Sequence, residues 1–548
     1  MRKRWLWALI ALAVIAVGVA AAGLTLSARC SGMVVVTERG VVADSVQSAA
    51  HNRRALNRIL RWAGPDTTLV FPEGDYYIAA SPLGGVCIAG KEGIALRGEG
   101  ARLINTSYTP YSAASAAHYQ DSSLIAVRSA RDVTIEGLTL DYVSPTSVSG
   151  VITQTQGSSA VFAAYEEFLT GETAVRGGEF WTSVNLFDAS GDPAGEVYRE
   201  GELEPVEGEA GKFVLPGVYG EVGQQVCVRF TSGTYACPAL TLHDVQGLTV
   251  RDVCVRACPS ASVYATGDSA DFTFERVMVA PEPGSRSLFS SNEDCIHIQG
   301  LRGALTLTDC TFEGIGDDAL NVHSLAAVVS GVDGQTLTLA NGRTGQAMTG
   351  WASAGDAIEV YDRALNLLGT ARAVRVRGDR LELDGVPDGT GAGAILHNAS
   401  RVPEVTAERC TVRRGRARGF LLQAPVAVVR DCTFEALGLS GVLIAPDAQA
   451  WYEMGPCREA VLTGNIFLRC GLHDASGRMG AIGVGLDHDL AASGTATPHG
   501  AITVTGNRFA GCRCAVSVRG AKAVVERDND AGGAAMLLNW CRRSAPGL

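Results

Sequence analysis

Thr306-Leu-Thr-Asp-Cys-Thr-Phe-Glu313 returns, with variation, at seven other places in the 548-residue chain. It recurs as Val405-Thr-Ala-Glu-Arg-Cys-Thr-Val412 and as Val426-Ala-Val-Val-Arg-Asp-Cys-Thr-Phe-Glu435. Val461-Leu-Thr-Gly-Asn-Ile-Phe467 and Ile502-Thr-Val-Thr-Gly-Asn-Arg-Phe509 repeat it with Asn in place of Cys. Weaker copies begin at Val133, Leu248 and Phe272. Each copy is a short alternating strand, a polar turn and another strand, and the step from Cys410 to Cys432 is 22 residues. A repeat of that length is one supersecondary unit, which buries its apolar face only by stacking on its neighbours. The repeat therefore predicts an all-β chain, a right-handed parallel β-helix with one coil per copy. A transmembrane barrel or a leucine-rich solenoid fits less well, since neither pattern is present.

Stacked coils place Cys310, Cys410, Cys432, Asn465 and Asn507 at equivalent inward turns, where small polar or sulfur side chains satisfy turn backbone. That accounts for most of the 15 cysteines. Cys227/Cys237, Cys254/Cys258, Cys457/Cys470 and Cys512/Cys514 remain candidate disulfides in an exported chain. No Cys or His spacing matches a zinc site.

Outward from the repeat, Asp44 or Ser45 is expected to cap a helix running to about Ala63, stopped by Gly64-Pro65. Such a helix suits the end cap of a solenoid. Residues near 150–238 and 325–398 break the repeat and read as two inserted small antiparallel β-barrels. The expected division is an export segment over 1–30, capped coils over 31–149, a barrel over 150–238 and coils over 239–324. A second barrel follows over 325–398, and coils with a tail over 399–548.

Arg2, Lys3 and Arg4 precede a charge-free apolar run from Trp5 to Leu24, long enough for a cleaved signal or an uncleaved anchor. Either reading places the rest outside the cytoplasm, secreted or held at the surface, with membrane contact through that segment alone. The net charge of −11 argues against a nucleic-acid surface. A homodimer is compatible with an exposed coil flank.

Two segments carry chemistry: Ser291-Asn-Glu-Asp-Cys-Ile-His-Ile-Gln-Gly300 and Gly316-Asp-Asp-Ala-Leu-Asn-Val-His-Ser324. Aligning Ile296/Ile298 with Leu320/Val322 sets Asp294 opposite Asp318, one coil away, on strands about 4.8 Å apart. Asp317 adjoins them, and Arg416-Ala-Arg-Gly-Phe-Leu-Leu-Gln423 brings Arg418 into register from the next coil. Carboxylates so close cannot all ionise freely, so at least one should hold a proton at neutral pH. A held proton beside a charged carboxylate is what glycoside hydrolysis needs. An Asp-Asp pair alone is usually a solvated turn; Asp294 and Arg418 in register are what raise it above that. Calcium is a competing reading that Arg418 weakens, and no metal or cofactor is expected. The same register sends His297, Asn321, His323 and Gln423 outward, toward sugar hydroxyls. Trp451 and Glu453 form either a sugar platform or loop packing.

These segments resemble the polygalacturonase clan of β-helix hydrolases, and within it glycoside hydrolase family 110, the inverting exo-acting α-1,3-galactosidases. The supporting residues are Asp294 with Asp317-Asp318, Leu140-Asp-Tyr142, Ala319-Leu-Asn-Val-His323, Arg416-Ala-Arg-Gly419 and Trp451-Tyr-Glu453. The resemblance implies Asp317 as general acid, Asp294 and Asp318 as joint activators of water, and a glycan with terminal α-galactose as substrate. Gly-His-Gly and Arg-Ile-Lys segments of true polygalacturonases are absent, which counts against a polyuronide. Inversion also leads to the expectation that Asp317 diverges from its partners. Another β-helix polysaccharide hydrolase, or a carbohydrate-binding surface solenoid without catalysis, are the alternatives.

Overall fold

The computed structural model describes residues 32–108, 111–112, 122–172, 174–230, 237–485, 498–538 and 542–543. The export or anchor segment over 1–30 lies outside the described residues.

The repeat coils as its pattern requires. Leu305 pairs with Val405, Val405 with Ala427, Ala427 with Ala460, Ala460 with Ile502 and Ile502 with Val524, every step parallel. Each coil supplies three strands, such as Glu404–Glu408, Thr411–Gly415 and Phe420–Leu422, and together they form one 31-stranded sheet wound into a right-handed parallel β-helix. Alternate residues point inward, so Leu305, Val405, Ala427, Ala460 and Ile502 form one apolar column in a continuous core. Phe434 and Phe467, then Phe467 and Phe509, stack with ring centroids 5.0 Å apart in each pair.

The repeated turn has a backbone reason. The residue before each Cys or Asn adopts positive φ: Asp309 (55°), Arg409 (52°), Asp431 (54°), Gly464 (68°) and Gly506 (64°). Asp and Gly tolerate that region at low cost. The following side chain then accepts from the turn N–H of the coil before it. The Cys432 N–H reaches Asn465 Oδ1 at 2.9 Å, and Asn465 N–H reaches Asn507 Oδ1 at 2.9 Å. The cysteines and asparagines thus form one internal ladder. All thirteen cysteines among the described residues are free thiols, so the four candidate disulfides do not form. Burial in adjacent coils, rather than cross-linking, explains them.

The cap helix spans Ala49–Trp62 and buries Ala55, Leu56, Ile59 and Leu60 against the first coils. Its start lies later than expected, because a 3-10 turn over Val46–Ser48 precedes it and no side chain caps it. Asp44, in place of capping, accepts the Asp75 N–H at 2.9 Å.

Both interruptions are antiparallel. Six strands between Ala327 and Asn398 close into a barrel with its own apolar centre. The first insertion is a seven-stranded antiparallel sheet among the described residues, ending on the short strands Pro193–Val197 and Glu204–Pro205. It has a separate core around Trp181, Phe162 and Phe213.

Candidate active site

Asp294 and Asp318 owe their meeting to strand register. Ile296 pairs with Leu320, His297 with Asn321 and Ile298 with Val322, while Leu320 pairs in turn with Phe420. The sharp bends before these strands turn the aspartates to one patch. Asp294 Oδ1 accepts the Asp318 N–H at 2.9 Å. Asp318 Oδ1 accepts both the Arg418 N–H (3.0 Å) and Arg418 Nε (2.8 Å). Asp317 Oδ1 is held at 2.6 Å by an Arg416 guanidinium nitrogen.

Each of the three carboxylates places an oxygen within 4.8 Å of the others. Asp317 therefore does not diverge, and the expected wider gap is absent. The three aspartates sit in the bends just before the adjacent strands Ile296–Gln299 and Leu320–Leu325, which brings the bends together. The cluster has the donors to hold a cation, but the Arg416 and Arg418 guanidinium groups already sit on Asp317 and Asp318.

Exposure separates the three. The side chains of Asp294 and Asp318 are 2% and 1% exposed, whereas that of Asp317 is 28% exposed. Burial, reinforced by the negative charge on Asp317, pushes the Asp294 carboxyl well above the usual carboxylate range. Burial also lifts Asp318 to about 7; Arg418 opposes it, and Asp317 and Asp294 add to it. At Asp317 burial is outweighed by Arg416, Arg418 and Arg229, and its carboxyl lies below the ordinary value. Burial therefore favours the protonated form at Asp294, brings Asp318 to titrate near neutral pH, and the arginines favour the charged form at Asp317. That distribution is the reverse of the one implied by casting Asp317 as the acid.

The other candidates divide. Arg418 is in the cluster. His297, His323 and Gln423 are 5%, 1% and 1% exposed, so they do not line an open cleft. The strand edge that carries them is covered, because Ser324 and Leu325 pair antiparallel with Met454 and Glu453 of a strap following Asp447. His297 Nδ1 lies 2.6 Å from Asp294 Oδ2, and Gln423 Nε2 donates to Glu453 Oε2 at 3.4 Å. Asn321 is buried beside His297, with its Oδ1 lacking a protein partner. Trp451 stands 56% exposed on the strap, with the Arg343 guanidinium 4.2 Å from its ring centroid.

Four contributors were not singled out from sequence. Arg416 bridges Asp317 and Glu196, the latter at 2.8 Å, and so ties the cluster to the first insertion. Arg229, from the same insertion, is 1% exposed and donates to the carbonyls of Asn292 and Gly316, bracing both aspartate turns. Tyr198 lies under it, the Arg229 guanidinium 5.7 Å from the ring centroid. Arg416 stood two residues from Arg418 and was legible; the insertion residues share no repeat and had no signal.

Fold and site together define a parallel β-helix with a buried cluster of three aspartates and two arginines. No family model matches the sequence. Curated relatives do. The chain is 30% identical over 224 residues to alpha-1,3-galactosidase A of Bacteroides fragilis, covering 38% of this chain and 36% of that one. It is 31% identical over 240 residues to alpha-1,3-galactosidase B of Akkermansia muciniphila, covering 42% and 30%. A longer match, 23% identical over 508 residues, joins it to alpha-1,3-galactosidase A of Peterkaempfera griseoplana, covering 78% and 67%. The resemblance to glycoside hydrolase family 110 thus has named counterparts, although the matched part spans about a third of the first of these relatives. Among solved structures, a family 28 exopolygalacturonase of Yersinia enterocolitica aligns over 91% of this chain and 76% of its own, at 9% identity and TM-score 0.42.

Proposed function

We propose that the chain is a glycosidase that removes terminal α-1,3-linked galactose from glycans, exo-acting and inverting, with Asp294, Asp317 and Asp318 as its catalytic residues. The observation that carries this is the cluster itself: three carboxyls, each with an oxygen within 4.8 Å of an oxygen on the others, braced by two arginines. The names of the curated relatives supply the galactose.

Asp317 is the most exposed of the three carboxyls, and in this reading it protonates the leaving oxygen. It first takes the proton that Asp318 stores at rest, an exchange between neighbouring members of one coupled cluster. Asp318, now charged, accepts a proton from the attacking water as the water oxygen bonds to the anomeric carbon and the glycosidic bond breaks. The cycle ends with Asp317 charged and Asp318 protonated, which is the resting state. The resting distribution and the acid role of Asp317 are thereby compatible. Exo action is part of this proposal; Glu196 and Tyr198 stand beside Arg416 at one edge of the cluster, and the strap covers the strand edge at another. Trp451, open on the strap, is the candidate platform for the rest of the glycan.

Retention is the second reading, and one observation favours it: the carboxyls are gathered so closely that one oxygen of each lies within 4.8 Å of the others, whereas inverting pairs usually stand wider apart.

Hydrolysis requires the stored proton, so the pH dependence has a definite sign. The Asp318 carboxyl titrates at about 7; above that pH the store empties and kcat/KM should fall. A rate rising steadily from pH 7 to 9 would contradict the scheme. The substrate is tested with purified protein on α-1,3-, α-1,4- and α-1,6-linked galactosides and polygalacturonate. Release of galactose from the α-1,3 compound alone is expected; no release from any galactoside removes the reading. The proposal includes action outside the cytoplasm, resting on Arg2, Lys3, Arg4 and the apolar run after them. Recovery of the native protein in the cytoplasmic fraction would contradict that part.

A further inference from the structure

Behind Asp294 a line of hydrogen-bonding groups leads away from the cleft. His297 Nδ1 is 2.6 Å from Asp294 Oδ2; His297 Nε2 is 3.0 Å from His323 Nε2; His323 Nε2 is 3.6 Å from Glu453 Oε1. The two imidazole rings meet edge to face at 90° with centroids 5.0 Å apart. The far end, Glu453, has a side chain 16% exposed, so the line runs from the buried cluster to near the surface.

We propose that Asp294, His297, His323 and Glu453 form a proton relay that lets Asp294 change charge inside a sealed site. This rests on the catalytic reading of the aspartates given above.

The direction follows from which atoms can donate. His323 Nδ1 faces the Ser324 carbonyl at 3.2 Å, and a carbonyl only accepts, so Nδ1 carries a proton. In the neutral ring Nε2 of His323 is then the acceptor. The contact between the two Nε2 atoms needs one donor, which falls to His297. A neutral His297 protonated at Nε2 is bare at Nδ1, so the 2.6 Å contact is a hydrogen bond donated by the Asp294 carboxyl. The resting chain thus holds its proton on Asp294. Burial agrees, raising Asp294 and lowering both histidines, with Glu453 opposing it at the rings.

Transfer is balanced. The Asp294 O–H bond breaks as N–H forms at His297 Nδ1, while the His297 Nε2–H bond breaks as N–H forms at His323 Nε2. The outcome is a charged Asp294, a neutral His297 of the other tautomer and a cationic His323 facing the Glu453 carboxylate. Asp294 can then join Asp318 in drawing on the water, which it cannot do while protonated. Charged groups act along the whole line, Asp318 and Asp317 on His297 among them. Asp317, Glu453 and Arg418 act on Asp294, and Glu453 and His297 act on His323.

The strap carrying Glu453 is held by the catalytic coil and by the second barrel together. The Ala326 N–H donates to the Tyr452 carbonyl at 2.7 Å, and Ser324 Oγ donates to the Met454 carbonyl at 3.2 Å. Ala448 and Met454 of the strap pack with Ala326, Tyr361, Leu365 and Ile395. The barrel thereby helps to position the terminus of the relay, a task for an insertion that supplies none of the three aspartates.

The test has a part that needs no activity. In the full chain labelled with ring-15N histidine, and assigned by His297→Gln and His323→Gln, His297 should appear as the neutral Nε2–H tautomer. His323 should appear as the neutral Nδ1–H tautomer at pH 7. A neutral His323 protonated at Nε2, or a cationic His297, overturns the relay. Kinetically, Glu453→Gln keeps the shape and removes the charge that stabilises the His323 cation. It should lower kcat by roughly tenfold or more and leave KM within about twofold. A raised KM with kcat preserved would make Glu453 a sugar contact and overturn the proposal. Hydrolysis with the wrong tautomers removes the relay alone; the expected tautomers without hydrolysis of any glycoside remove the catalytic reading and the relay with it.

Discussion

Asp317→Asn should reduce galactoside hydrolysis by about a thousandfold or more, and leave the fold and sugar binding nearly intact. General acid catalysis is worth about 10²–10⁴-fold, and an amide can neither take the Asp318 proton nor pass it to the leaving oxygen. The substitution is structurally mild. Asp317 is the exposed member of the cluster, and its Oδ1 acceptor for Arg416 survives in Asn. The diagnostic is leaving-group dependence. An aryl galactoside whose phenol leaves without protonation should restore much of the rate in Asp317→Asn and little of it in Asp318→Asn. An equal loss in both variants on both substrates would remove the division of labour between the two residues.

Arg418→Met should damage both rate and stability, with a smaller effect on rate than Asp317→Asn and a much larger one on stability. Arg418 contributes a charged donor to Asp318 and opposes the burial that raises it. Without it the Asp318 carboxyl titrates higher still, so it passes its stored proton to Asp317 less readily and is seldom in the charged form that accepts from water. A loss of roughly hundredfold or more in kcat is expected. The stability effect has a sign. An aspartate whose folded pKa lies above its unfolded value contributes stability that is complete below about pH 4 and is lost as pH rises through the folded value. For Asp318 that window ends at about 7 in the native protein. Removing Arg418 extends the window upward, so the deficit against the native protein should grow from pH 5 to pH 9. At the alkaline end it should reach about 3–5 kcal/mol, the cost of leaving a buried charge without its partner. Thermal melts at pH 5, 7 and 9 measure this; a deficit independent of pH would place the role of Arg418 elsewhere.

The site was legible to the extent that the coil repeat reached it. Asp294 opposite Asp318, and Arg418 beyond, followed from aligning Ile296 with Leu320, and the strand pairs have that register. Period and register are properties of the chain itself, so a sequence can carry them. The Cys and Asn column was readable for the same reason, although spacing alone could not distinguish stacked thiols from disulfides. What the repeat could not show was anything folded over it. His297, His323 and Gln423 point away from the helix core as expected, yet the strap through Glu453 covers them. Arg229, Tyr198 and Glu196 reach the cluster from an antiparallel sheet whose register is set by its own hairpins. Protonation was partly legible: crowding implied a held proton, but its assignment to Asp318 and Asp294 rather than Asp317 depends on where three arginines fall.

The central claim is that the aspartate cluster hydrolyses an α-galactoside by delivering water to the anomeric carbon. Proton NMR of an α-1,3-galactosyl disaccharide, recorded within the first minutes of exposure to the native protein, tests it most directly. The account predicts β-galactose first, with the α-anomer growing in only by mutarotation, and no release in Asp317→Asn. α-Galactose as the first product would contradict the direct attack of water and replace it with a covalent intermediate on one of the three carboxylates.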